Sequence, residues 1–209
     1  MAYGDNRTTV ETDTFDSSID SEWTNGPDLW STQTWVTGGV VEPSSGGASC
    51  MITRNDAAHA NDQYAIMTIS AFGTNSEMGI QLRGGTTITR CYVAYCDSIN
   101  PNRYQMIDVA EDGGSTSLMS DSGFGGSLSS GDTVTFEAEG STLRMGTNEG
   151  SGDTQRGSDQ TDSTWSDGEP GAFCLESSTP ANSRYTAWEG GDIGAAAAAT
   201  KFLTLLGVG

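Results

Sequence analysis

Lysine is almost missing from this chain. Lys201 is the only one, the rest of the basic set is arginine, and 9 basic residues face 28 acidic ones for a net charge of −19. Such a surface repels phosphate backbones and anionic headgroups, which argues against nucleic acid or lipid as a partner. An acidic, lysine-poor surface also suits salt water, where screening softens self-repulsion, or simply a soluble acidic protein. Histidine is limited to His59, and no Cys-x-x-Cys occurs among Cys50, Cys91, Cys96 and Cys174, so the common zinc spacings are missing. There is no run of about 18 apolar residues, so membrane insertion is not expected. Met1-Ala2-Tyr3-Gly4-Asp5 has neither a basic nor an apolar leader region, so synthesis in the cytoplasm without export is the expectation. EF-hand, phosphate-binding, dinucleotide and nucleophile-elbow motifs are lacking too.

What is present reads as strand and turn. The 209 residues fit one all-β domain, and 28 glycines imply many turns. Residues 1–12 read as a flexible arm. Phe15, Trp23, Trp30 and Trp35 then lie among turn formers, with a strand expected over 30–36. Further strands are expected near 40–41 and 50–53 and over 63–71, 78–83, 88–96 and 103–109, with a weaker one at 117–119. Over 63–69, Tyr64, Ile66 and Thr68 alternate with Ala65, Met67 and Ile69, so both faces look buried. The clearest hairpin is 133–147: Val134, Phe136 and Ala138 share one face, Gly140-Ser141 turns, and Leu143 and Met145 return. Residues 148–169 read as an acidic loop, followed by strands at 171–176 and 184–188. Cys91 and Cys96 would point to opposite faces of one strand. The cysteines read as buried free thiols, with a disulfide as the alternative for a protein that ends up outside the cell.

Four segments resemble the concanavalin A-like jelly roll, the superfold that includes laminin-G-like domains. They are Asp13-Thr14-Phe15-Asp16 with Trp23 and Trp30, the hairpin Phe136 to Gly150 with its Gly turn and Asn-x-Gly, Thr164 to Phe173, and Ala187-Trp188-Glu189-Gly190-Gly191-Asp192-Ile193. The resemblance covers residues 13–193 and implies an all-β sandwich of two antiparallel sheets whose first and last strands pair. It also implies a structural calcium ion where those strands meet, with Asp16 and Asp192 as the oxygen donors. Residues 194–209 change character. Five alanines precede an apolar stretch in which Phe202, Leu203, Leu205 and Leu206 need shelter, either on their own domain or on a neighbouring subunit.

Chemistry is harder to find. Glycan-cleaving relatives carry an acidic strand motif of the Glu-x-Asp-x-Glu kind, and this chain has only Glu137-x-Glu139. Those residues sit about 7 Å apart, where retaining glycosidases need about 5–5.5 Å, and they read as a solvated face. Sugar binding needs an aromatic platform with polar groups around it. Trp30, Trp35, Tyr92, Tyr104 and Trp165 are the candidates, whereas Trp188 reads as core. The leading expectation is a non-enzymatic structural or adhesive protein on the virion surface of a tailed phage, with capsid or tail proteins, or further copies of itself, as partners. The alternative is a calcium-dependent carbohydrate-binding module or lectin, extracellular, recognising surface glycans. A glycoside hydrolase or lyase ranks last.

Overall fold

The alternation over residues 133–139 sets the pattern of the molecule. Successive strand side chains point to opposite faces, and Val134, Phe136 and Ala138 are fully buried on one of them. The computed structural model describes residues 3–4, 6–15, 22–25, 33–36, 39–43, 48–55, 58–85, 90–98, 103–121, 128–148, 152–176 and 182–194. The strands are β1 (Arg7–Asp13), β2 (Trp23–Asn25), β3 (Gln33–Val36), β4 (Val40–Pro43), β5 (Ala48–Arg54), β6 (Gln63–Phe72), β7 (Ser76–Gly84) and β8 (Cys91–Asp97). They continue as β9 (Arg103–Val109), β10 (Ser115–Asp121), β11 (Thr133–Glu139), β12 (Thr142–Asn148), β13 (Asp153–Thr161), β14 (Glu169–Glu176) and β15 (Ser183–Ile193). No α-helix occurs among the described residues.

The strands form a jelly-roll sandwich of two antiparallel sheets. One runs β13-β12-β11-β6-β15-β4-β3, with β1 also paired to β15; the other runs β10-β9-β8-β7-β14-β5-β2. Between them, Met67, Ile69, Phe136, Met145 and Trp188 of the first sheet meet Ile52, Ile80, Leu82, Tyr92 and Met106 of the second. Trp188 packs edge-on to Trp23 with ring centroids 5.1 Å apart. Trp188 is therefore core, as its place in the last strand predicts.

The first strand begins earlier than the sequence suggests. Arg7–Asp13 is not part of a flexible arm: it pairs antiparallel with β15, from Arg7 opposite Ile193 to Asp13 opposite Trp188. Its side chains are mostly polar, so no apolar alternation announces it. What holds it is charge. Arg54 of β5, with a side chain 5% exposed, reaches Glu11 at 2.5 Å, Asp13 at 3.1 Å and Glu22 at 2.6 Å. This clamp ties the edge of one sheet to the other beneath the Trp23 ring, whose centroid is 5.1 Å from the guanidinium.

Glu137 is not on a solvated face either. It is 1% exposed and takes hydrogen bonds from Gly4 N at 3.0 Å and Arg7 Nε at 2.7 Å, because the segment before β1 lies across it. Gly146 makes room for that segment, since a Cβ there would collide with the Tyr3 ring. Residues 153–161 form edge strand β13 rather than loop. Arg144 bridges to Asp159 at 3.1 Å and Arg156 Nε donates to Thr147 at 2.7 Å, so side-chain pairing replaces the missing apolar alternation. Among the cysteines, Cys91 and Cys96 are free and buried, one on each face of β8 as the spacing predicts. Cys174 corrects the free-thiol reading: it is disulfide-bonded, and its backbone partner on the neighbouring strand is Cys50.

Removing one partner of a buried ion cluster leaves the others uncompensated, which costs about 3–5 kcal/mol. Arg54→Met, which takes from Glu11, Asp13 and Glu22 their shared cation, is expected to lower the unfolding free energy by that amount in urea or guanidinium titration. A loss below about 1 kcal/mol would show the clamp to be ornamental.

A candidate binding cavity at the end of the sandwich

The end of β7 departs from regular strand geometry. Arg83 has a φ of 54°, a conformation that costs a non-glycine residue about 1–3 kcal/mol and persists only where the surroundings enforce it. Gln63 is one enforcer: its Oε1 accepts the Arg83 N–H at 3.0 Å, while its Nε2 donates to Ala60 O at 3.0 Å and Gly168 O at 2.9 Å. Gly168 is the other, at φ +125°, where a Cβ would press on the Arg83 backbone at 2.5 Å. The buried guanidinium donates from Nε to Asn61 O at 3.0 Å and from Nη1 to Trp165 O at 2.9 Å. Nη2 lies 3.6 Å from Asp62 Oδ1, outside hydrogen-bonding range. Burial pulls the Arg83 pKa below its ordinary value against the opposing pull of Tyr92, Asp62 and Asp167. The cation is thus only partly compensated, with donors to spare.

Trp165 is fixed from several sides. Its backbone N–H donates to Tyr92 Oη at 2.9 Å, and its Nε1 donates to Asp108 Oδ1 at 2.6 Å. The Arg90 guanidinium sits 5.2 Å over the ring. Tyr92 in turn donates to Asp162 at 2.7 Å. Burial pushes the Tyr92 hydroxyl up to about 12, and burial likewise raises Asp108 despite the indole hydrogen bond. Burial also works against the Asp162 carboxylate, but hydrogen bonds from Tyr92 and Thr164 hold it below its ordinary value. On the opposite wall, Asp62 Oδ1 accepts the Gly140 N–H at 2.6 Å and so pins the β11–β12 turn. These loops enclose a cavity of about 540 Å³ lined by Arg83, Trp165, Asp62, Asn61, Ser141, Ser163, Ser166, Gly140, Ala60 and Ile193. Its chemistry is an indole, a guanidinium, a carboxylate and several hydroxyls converging on one space, which suits a polyhydroxylated ligand.

Of the described residues singled out from the sequence, Trp165 alone lines this cavity. Tyr104 is a correction: at 2% exposed it faces the inter-sheet core, with Arg156 5.1 Å over its ring, and cannot stack on a sugar. Tyr92 is fully buried and acts only as a support. Trp35 lies on β3, its side chain outside the described residues, as are Trp30, Asp16 and the tail residues Phe202, Leu203, Leu205 and Leu206. Arg83 and Asp62 were missed. The only hint was a charged residue ahead of Gly84-Gly85, where a strand must break.

Asp192 is engaged with its neighbours, and Asp16, the other expected calcium donor, lies outside the described residues. Asp192 Oδ1 accepts the Ala60 N–H at 2.8 Å and lies 3.8 Å from His59 Nδ1, while His59 Nε2 is 4.0 Å from Glu11. Among the described residues, no three of His, Cys, Asp and Glu gather to hold a metal. A second carboxylate pair lies on the outer face of the β10–β2 sheet, where Glu77 of β7 faces Asp97 of β8. Asp97 is taken by Arg103 Nε at 2.7 Å and Gln105 Nε2 at 2.9 Å. Glu77 is left without such support. Burial first, and then the Asp97 charge, push it from 4.5 up to about 7, with Arg103 opposing.

No protein-family model matches the sequence, and no curated protein does. Solved structures do. The chain is similar to the carbohydrate-binding module CBM66 from Bacillus subtilis, with a TM-score of 0.54 at 14% identity over 82% of this chain and 95% of that one. It is similar to the exoplasmic/lumenal domain of VIP36 in its Ca2+/Man3GlcNAc-bound form, with a TM-score of 0.56 at 9% identity over 89% and 92%. The metal-free form of that domain matches as well, at 0.53. The GH43 protein BlXynB from Bacillus licheniformis gives 0.58 at 13% identity over 86% of this chain but 39% of that one, so the chain spans less than half of it. At these identities the likeness establishes the fold. It is a jelly-roll sandwich of two antiparallel sheets.

The raised Glu77 pKa has a consequence for stability. The protonated form is favoured on folding, so its contribution is fully present below about 4.5 and is lost as the pH rises through about 7. Glu77→Gln is therefore expected to gain stability relative to the parent between pH 4.5 and 7. Paired melting curves across that window check it, and parallel curves would refute it.

Proposed function

We propose that the chain is a non-catalytic carbohydrate-binding domain whose ligand seats in the cavity at the end of the sandwich. One observation carries the reading: Trp165, Arg83 and Asp62 converge with three serines on one concave space. Arg83 and Asp62 are close enough to address neighbouring hydroxyls of one sugar. The guanidinium donates, the carboxylate accepts, and the indole supplies the apolar contact. The similar structures support the same class, since they include a carbohydrate-binding module and an oligomannose-bound lumenal domain. Glycoside hydrolases are also among them, but Asp62 is the single acidic residue among the described residues lining the cavity, where such hydrolysis uses two carboxyl groups. Glu137 is held by Arg7 and Glu139 by Arg144 at 2.9 Å, while Asp97 is held by Arg103.

The virion reading, with capsid or tail proteins or further copies as partners, rests on the sequence alone. The comparisons support the glycan-binding alternative more strongly. Calcium at Asp16 and Asp192 is a separate proposal from sugar contact, since Asp192 does not line the cavity and Asp16 lies outside the described residues.

Binding of neutral oligosaccharides, first on an array and then by calorimetry, tests the proposal. Ser166→Trp, which fills the cavity without removing a support, and Asp62→Asn are each expected to raise Kd at least about tenfold, or ~1.4 kcal/mol. Binding is expected to survive a chelator. Loss on chelation would move attention to Asp16 and Asp192, and unchanged affinity in both variants would place the ligand elsewhere.

A further inference from the structure

The ion pairs at the cavity end of the sandwich share an asymmetry. In the Arg83–Asp62 pair the guanidinium side chain is 2% exposed and the carboxylate 43%. In the Arg90–Asp167 pair the values are 21% and 63%. Both cations are turned inward, Arg83 onto the carbonyls of Asn61 and Trp165 and Arg90 over the Trp165 ring. The charge that meets solvent here is therefore negative. More of that sign adjoins the lining: Asp162 precedes Ser163, Asp167 follows Ser166 and Asp192 precedes Ile193. Asp162 takes hydrogen bonds from neutral donors, Tyr92 Oη and the Thr164 N–H, both at 2.7 Å, which leaves its charge in place. A concave site walled by low-dielectric protein focuses such a field, and the net charge of −19 adds to it.

Asp62 is the member of this acidic set that lines the cavity itself. Its Oδ1 is taken by the Gly140 N–H at 2.6 Å and lies 3.6 Å from Arg83 Nη2, whereas its Oδ2 has no hydrogen bond among the described residues. We infer that the cavity prefers saccharides with a free amino group, the ammonium seated on Asp62 Oδ2, adjacent hydroxyls on Arg83 and the serines, and one apolar face against Trp165. The inference rests on the sugar-binding reading of this cavity and adds a charge to it. An acidic sugar is disfavoured, because an anion reaching for Arg83 Nη2 comes up against the Asp62 carboxylate beside it. An ammonium is not turned away by Arg83, since Asp62 and Asp167 both oppose that charge. A plain hexose offers Asp62 a neutral hydrogen bond in place of a charge-assisted one, and an N-acetylated sugar does the same with added bulk.

Calorimetric titration of the full chain with glucosamine and galactosamine oligosaccharides, each beside its N-acetylated and its plain hexose counterpart, tests the preference. The amino form is expected to bind at least about tenfold tighter than the hexose of the same length, or ~1.4 kcal/mol, and the advantage should shrink as salt is added. Asp62→Asn keeps an acceptor for the Gly140 N–H while removing the charge, and is expected to bring that ratio down to about one. Equal or tighter binding of the hexose would overturn the inference and leave the sugar-binding reading standing, whereas no binding by any of the three forms would overturn both. An amino preference that survives Asp62→Asn would overturn the seat on that carboxylate. One that survives Ser166→Trp, which fills the cavity, would overturn the inference too, since the attraction would then belong to the acidic surface as a whole.

Discussion

Everything in this fold waits on β15. It is the last of the described strands, yet it lies inside its sheet, with β6 along one side and both β1 and β4 along the other. It brings Tyr185 and Trp188 into the core and ends at Ile193 in the cavity wall. Its longest pairing joins Arg7 to Ile193, nearly the full described span. Contacts this distant in sequence impose a large loop-closure cost before they return anything, so a slow and cooperative folding reaction follows from topology alone.

Hydrophobic burial does not hold such an arrangement by itself in a chain with 34% hydrophobic residues. Arginine makes up the difference. Arg54 ties β1 to β5, Arg7 holds Glu137, Arg144 binds Glu139 and Asp159, Arg184 reaches Glu42 at 2.5 Å, and Arg83 stitches the cavity loops. Arg90, Arg103 and Arg156 are engaged as well. A planar fork with five donors can serve several acceptors at once, which an ammonium cannot do with the same geometry. The near-absence of lysine thus has a structural meaning. The basic residues are there to crosslink.

This division of labour explains what could be read in advance. Where apolar residues alternate, as at Val134, Phe136 and Ala138 or Met67 and Ile69, the strands and their buried faces were legible. So were the two-sheet architecture and the pairing of first with last. Strands held by ion pairs were not: β1 and β13 have polar side chains whose partners lie on other strands, Arg54 and Glu137 for β1, Arg144 and Thr147 for β13. The candidate site was legible only at Trp165. Arg83 and Asp62 become a site because a positive-φ turn and a distant hairpin place them together, and no local pattern encodes that meeting. Tyr104 looked equivalent to Trp165 in sequence, but strand parity on β9 sent the Tyr104 ring inward, whereas Trp165 lies on the loop between β13 and β14 beside the cavity.

One backbone contact has reach beyond the domain itself. Gly194 N donates to Asn6 O at 3.1 Å, so the start of β1 and the end of β15 meet at one point. A domain whose ends touch can be spliced into a surface loop of another protein without prising that loop apart, or recut to begin at a turn such as Gly140-Ser141. The end that bears the cavity would then be carried like a charm on a ring, oriented by the host rather than by a linker.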